Sequence, residues 1–317
     1  VYGLQHGRLH LQVPTAMWMN MGYWKNSGAS GTMAEACRDL LSAVLFEAWF
    51  SENVVNPLIK EDRQQTKCVI DLGFGCGDQT IYLMSATPVR ACDDSWWDER
   101  KFCAKVEQYV GITEDPLQAR FASERVHELI GNFGAGGEKE GLDIALFCSD
   151  AAKPASWNDQ LQAAIRRAED TSRERWVLAL DTAYHFNPSR WPIVNYLNSR
   201  IHASFMAFDL CLSDTVTLPQ KLMLRILTTL MGAPWANFVT PQEYRTRLVE
   251  AGYQDDMITI KDISEHVFSP LAEYLERQDK RLQTLGLGLG NLSIAKTMFR
   301  WWGRSGVVRG VIVVARQ

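Results

Sequence analysis

The stretch that decides the fold reads Cys68-Val-Ile-Asp71-Leu-Gly73-Phe-Gly75-Cys-Gly77-Asp78-Gln79. Its first five residues, apolar except for Asp71, form a short run of the kind that makes a buried strand. Three glycines at alternate positions break that run, and a helix is expected from about Asp78. Glycine lets the backbone turn sharply and approach a ligand closely, while the helix N-terminus that follows favours negative charge. The dinucleotide fingerprint GxGxxG would need a glycine at position 78, where Asp78 stands. The spacing is GxGxG, with an acid, Asp71, two residues before the first glycine.

Outward from this turn, apolar runs at 109–113, 142–148, 176–181, 204–212 and 307–315 read as further strands. Helices fall between them. One opens at Pro116 with Asp115 as its cap. Another is announced by Thr240-Pro241-Gln-Glu243 and closed by Gly252. Ahead of the first strand, Thr32 and Glu35 form a capping box before the stripe Cys37, Leu40, Leu41, Val44, Leu45, Ala48, Trp49. This alternation predicts an α/β fold, a mostly parallel sheet with helices on both faces. Three segments lie outside it: the acidic, tryptophan-bearing 87–105, a glycine-rich loop at 132–141, and 261–306. The last holds a helical stretch at about 270–285, a Gly-Leu-Gly-Leu-Gly run and Trp301-Trp302.

The chain has 317 residues, enough to bury a large core without disulfide or metal staples. With 46% hydrophobic and 22% charged residues it reads as an ordinary globule. A net charge of −4 argues against nucleic acid as partner, despite a local cluster of Lys296, Arg300, Arg304 and Arg309 that reads as a solvated face. No run is long enough to span a membrane, and no secretory signal is visible at Val1. Seven cysteines without a CxxC pair suggest a reduced, cytoplasmic protein. Neither HExxH nor clustered Cys/His spacing occurs, so no metal is expected.

The glycine turn resembles motif I of the class I S-adenosylmethionine (SAM)-dependent methyltransferases. Downstream, Gly111-Ile-Thr113-Glu-Asp-Pro116-Leu-Gln118 is similar to the "GIT-x-SP-x-Q" stretch of the sterol, tocopherol, cyclopropane-fatty-acid and coclaurine-type branches. Ser149-Asp150-Ala151 resembles the acidic turn that binds the adenine amino group, and Asn20-Met-Gly22-Tyr23-Trp24 is similar to the "N-x-GYW" segment that closes over the cofactor. The resemblance covers about 60–260 with the strand at 307–315 and this N-terminal piece. It implies a Rossmann-like seven-stranded sheet with an antiparallel final strand. It also implies SAM as cofactor, with S-adenosylhomocysteine as product. The residues it assigns to the cofactor are Tyr23, Trp24, Asp71, Gly73, Gly75, Gly77, Gln79, Thr113, Gln118, Asp150 and Ala151. Residues 1–60 are expected as an N-terminal lid and helix. The rest, 61–317, is the catalytic domain, with 261–306 as a helical cap.

In an open α/β sheet the site lies beyond the carboxyl ends of the strands. There the fourth strand runs into Asp181-Thr-Ala-Tyr184-His185-Phe-Asn-Pro188, and Asp181-xxx-His185 is similar to an acid-xxx-His signature of coclaurine N-methyltransferase-like and tocopherol-type enzymes. Histidine is the natural base near neutral pH. His185 is therefore the candidate proton acceptor, with Asp181 to orient it and Tyr184 to hydrogen-bond the acceptor. A histidine that only caps the turn is the alternative. Of eleven tryptophans, Trp18, Trp301 and Trp302, with Tyr23, are the expected walls of an apolar acceptor pocket. The expected activity is methyl transfer to a hydroxyl or amine of a small lipophilic or aromatic molecule, by a monomer or homodimer. The alternatives are carbon methylation, a non-methylating pericyclic or elimination step, or a silent SAM-binding subunit of a complex.

Overall fold

The computed structural model describes residues 16–26, 31–50, 67–85, 106–130, 143–170 and 174–317. The segments 87–105 and 132–141, and the start and end of the expected lid, lie outside the described residues. Seven strands form one sheet: β1 (Lys67–Leu72), β2 (Val106–Thr113), β3 (Asp143–Cys148), β4 (Glu174–Leu180), β5 (Ser204–Leu212), β6 (Ile258–Asp262) and β7 (Val308–Ala315). Their order is β3-β2-β1-β4-β5-β7-β6. The first five are parallel, and β7 runs antiparallel between β5 and β6. The Rossmann-like α/β sheet expected from the sequence is therefore present, with its reversal of strand order beside β1.

Helices cover both faces. Side chains alternate along the strands: Met206, Phe208 and Leu210 of β5 point into one core, while Phe205, Ala207 and Cys211 point into the other. The first core is closed by α1 (Met33–Phe50), α2 (Asp78–Met84), α3 (Pro116–Ile130), α8 (Phe268–Gln283) and α9 (Leu292–Ser305). The second is closed by α4 (Asp159–Asp170), α5 (Trp191–Tyr196) and α7 (Pro241–Glu250). Helix α6 (Leu218–Leu230) follows β5 and reaches the first core through Leu224.

The helix starts follow local chemistry. Thr32 and Glu35 cap α1 reciprocally, with the Thr32 amide donating to Glu35 at 2.8 Å and the Glu35 amide donating to Thr32 Oγ1 at 3.2 Å. Thr240 and Glu243 do the same for α7. Asp115 accepts from the amides of Leu117 and Gln118 at the head of α3. Helices α4, α5, α6 and strand β6 were not anticipated from the sequence.

The 261–306 region is helical and precedes the last strand, but its two tryptophans turn toward the core. Helices α8 and α9 pack against each other, and Trp302, fully buried, meets Phe268 and Phe299 edge-on at 5.4 and 5.6 Å. Trp301 packs partly buried against the same core. The cationic cluster is largely neutralised: Lys296 pairs with Glu276 and Asp279, Arg300 with Glu276, and Arg309 with Asp262. Among the described residues no helix is long and apolar enough to cross a membrane, and no group of His, Cys, Asp and Glu could hold a metal ion.

Candidate active site

At the carboxyl ends of β1, β2 and β4 lies a cavity of about 620 Å³. The glycine turn after β1 forms one wall. Gly73 has φ +103°, and a Cβ there would lie 2.7 Å from Thr182 Oγ1, so only glycine lets this turn close against the loop after β4. Gly73 and Gly75 both line the cavity. Gly77 does not: it caps α2 in a left-handed conformation against Ala122 of α3.

Asp71 corrects an expectation. It is fully buried and does not line the cavity. Its carboxylate accepts from Gln79 Nε2 at 2.8 and 2.6 Å and from the Tyr109 hydroxyl, which in turn accepts from Thr80 Oγ1. Burial pushes its pKa up to about 7, against the opposing pull of these donors. Asp71 is thus a brace beneath the turn. Gln79, by contrast, reaches the cavity wall.

Beyond β2, Thr113 is buried at the wall with its hydroxyl 3.4 Å from Gln118 Oε1. After β3, Asp150 and Ala151 line the cavity. Asp150 accepts from the Ala152 amide at 2.9 Å and pairs with Lys153 at 2.7 Å. The wall therefore carries a hydroxyl–amide pair at one strand end and a carboxylate at the next.

The loop after β4 brings Asp181, Tyr184 and His185 to the same cavity. The Tyr184 and His185 rings lie 4.3 Å apart. The expected Asp181–His185 contact is not made. Instead Asp181, at φ +60°, accepts from the Tyr184 hydroxyl at 2.9 Å and from the Met21 amide at 2.7 Å. Burial raises the Asp181 carboxyl to about 7 and raises the Tyr184 phenol further still, so Tyr184 acts as a donor to Asp181. The protein packed around His185 lowers its pKa, outweighing a hydrogen bond to the Gly232 backbone, so the ring is neutral near pH 7.

The N-terminal segment crosses the cavity between two carboxylates. Asp181 holds the Met21 amide. Asp78 holds the Met17 amide at 3.1 and 3.2 Å while pairing with both terminal nitrogens of Arg125 at 2.7 and 2.9 Å. Met17, Trp18, Met19 and Asn20 line the cavity, with Trp18 edge-on to Tyr82. Gly22 has φ +77° and no room for a Cβ, which would lie 2.8 Å from Ala36 Cβ; its absence lets the segment lie on α1. Tyr23 and Trp24 do not reach the cavity. Tyr23 meets His266, and Trp24 is buried beside Tyr274 with its indole N–H on the Met21 carbonyl. Trp301 and Trp302 are likewise absent from the wall, because α9 turns them to the core behind the sheet.

Sequence reasoning missed the residues that hold the His185 loop. Asn237, fully buried, donates from Nδ2 to the carbonyls of Tyr184 and Phe186 at 3.0 and 2.8 Å, on either side of His185. Its Oδ1 accepts from the Arg190 amide at 2.8 Å. The Arg190 guanidinium, also fully buried, pairs with Asp209 and donates to the Asn237 carbonyl, and Tyr244 donates to Asp209 at 2.9 Å. Asp78 carried one signal in the sequence, its place where a dinucleotide motif would have glycine.

No known family model matches the chain, and no curated protein matches it in sequence. Solved structures do, at low identity. A putative sarcosine dimethylglycine methyltransferase from Galdieria sulphuraria is 14% identical, covering 94% of this chain and 92% of that one, with a TM-score of 0.60. The mycolic acid cyclopropane synthase CmaA1, complexed with SAH and CTAB, is 10% identical over 99% and 95%, at 0.59. The cyclase SpnF is 13% identical over 99% and 92%, at 0.54. The chain has the fold of the class I SAM-dependent methyltransferases.

Proposed function

We propose that the chain binds SAM in this cavity and transfers a methyl group to a hydroxyl or amine of a small lipophilic or aromatic molecule. One observation carries the reading: a single cavity joins the glycine turn of β1 to the uncharged His185. The residues fit the cofactor. Gly73 and Gly75 leave backbone open to a ligand, Thr113 with Gln118 offers a hydroxyl and an amide to ribose, and Asp150 offers an acceptor to the adenine amino group. Trp18 lines the cavity, where an aromatic ring suits a cation. Bound SAM would supply an electrophilic methyl on a sulfonium. His185 takes the proton that leaves the acceptor oxygen or nitrogen, its free ring nitrogen forming the new N–H bond. Residues 17–21 act as the lid that excludes water.

The test is incubation with methyl-labelled SAM and fractions of hydroxylated or amine metabolites, alongside calorimetric SAM binding. Labelled product with the wild type and loss of label with His185→Ala at unchanged SAM affinity is the expected result. No SAM binding would refute the cofactor assignment. Binding with no label transfer would favour the second reading, non-methylating chemistry, whose support is that one similar fold is a cyclase.

A further inference from the structure

We propose that α6 is a docking face for an anionic lipid bilayer. Leu218, Leu222, Ile226 and Leu230 follow one another at four-residue spacing, and their exposures are 82%, 64%, 56% and 79%. At 3.6 residues per turn such a series drifts across about 120° of the helix surface, and exposed Met223 widens the band. The opposite side is anchored, since Leu224 and Thr228 are buried, so the outward apolar arc is the orientation the fold imposes. Isolated exposed leucines are ordinary, whereas a contiguous apolar face on one helix marks a surface that is covered in use.

The charges select the occupant. Lys221 and Arg225, one turn apart and exposed, border the arc, and α6 contains no acidic residue; Asp214 lies in the turn before it. Neither cation forms an ion pair among the described residues. An apolar face flanked by unpaired Lys and Arg is what an interfacial helix presents to anionic headgroups, with the long side chains reaching outward as the leucines sink. The whole chain carries −4, so attraction to such a surface has to come from local positive charge such as this. Gly232, two residues beyond α6, lines the cavity. Docking therefore sets the cavity beside the bilayer, where a lipophilic acceptor is dissolved. That last consequence rests on the proposed function, but lipid binding does not.

The test is co-sedimentation of the full chain with phosphatidylcholine vesicles, with and without phosphatidylglycerol, read alongside size-exclusion chromatography and circular dichroism. The wild type is expected to bind the anionic vesicles. Leu222→Glu/Ile226→Glu should lose at least about tenfold in partitioning with unchanged melting temperature, because both side chains are exposed. Lys221→Gln/Arg225→Gln should abolish the preference for phosphatidylglycerol. A wild type that stays in the supernatant overturns the proposal, as does equal sedimentation of all variants. A dimer that the glutamate pair dissolves, without vesicle binding, assigns the face to a second copy instead.

Discussion

Asn237→Ala tests how the loop carrying His185 is held. The side chain makes three buried hydrogen bonds: two donated to the carbonyls flanking His185, and one accepted from the Arg190 amide. Alanine removes the side-chain partner of all three and gives nothing back. A buried hydrogen bond contributes about 1 kcal/mol net, and a buried group left unsatisfied costs about 1–3 kcal/mol. Because the site is fully enclosed, water cannot readily replace the amide, and the sum is ~3–5 kcal/mol. That is a large part of the ~5–15 kcal/mol that separates a folded domain from its unfolded state. Urea unfolding followed by tryptophan fluorescence should show a lowered midpoint at unchanged slope. Asn195→Ala, at an exposed site on α5, serves as the control and should shift stability by less than about 0.5 kcal/mol. A loss below about 1 kcal/mol for Asn237→Ala would refute the reasoning.

Asp181 gives a pH signature. An unfolded aspartate titrates near about 3.9, whereas the folded value is about 7. Between these the native state holds the extra proton, so the stability Asp181 lends falls as pH rises through that window and is level above it. Relative to wild type, Asp181→Asn should therefore gain stability from pH 5 to pH 8 in paired urea melts; a constant difference would contradict this. The rate of label transfer should rise with pH through a midpoint below the ordinary histidine value and then level, and a profile with no such limb would remove His185 as base. Trp302→Ala should cost about 3–5 kcal/mol as a core cavity while leaving SAM affinity unchanged. Weakened SAM binding in a folded variant would contradict its place in the core away from the cavity.

What was legible in the sequence was local. Gly73 and Gly77 turn at φ of +103° and +88°, which side chains rarely adopt, and Thr32, Asp115 and Thr240 cap helices whose partners lie within three residues. What was hidden depends on distant chain. Strand β6 is short and becomes one only by pairing with β7, some fifty residues later. Helix α6 escaped notice because apolar residues on both its inward and outward sides blur the single stripe that betrays a helix. Trp301 and Trp302 read as walls of an acceptor pocket, because composition does not say whether a helix face meets the cavity or the core. Asn237 finds its partners 47 to 53 residues away, so no local pattern could announce it.

The strap over the cavity is fastened by its backbone. Asp78 and Asp181 grip the amides of Met17 and Met21 and make no demand on what those residues carry. The side chains of residues 17 to 19 are thereby released from that work, while Asn20 keeps its own, donating to the Cys37 carbonyl and accepting from the Gly22 amide. Bulk, polarity or aromaticity can be exchanged at positions 17 to 19 to suit a different guest while the strap stays in place. Proline at 17 or 21, which has no N–H to give, removes one of these two fastenings. A closure built this way separates holding shut from choosing what is held.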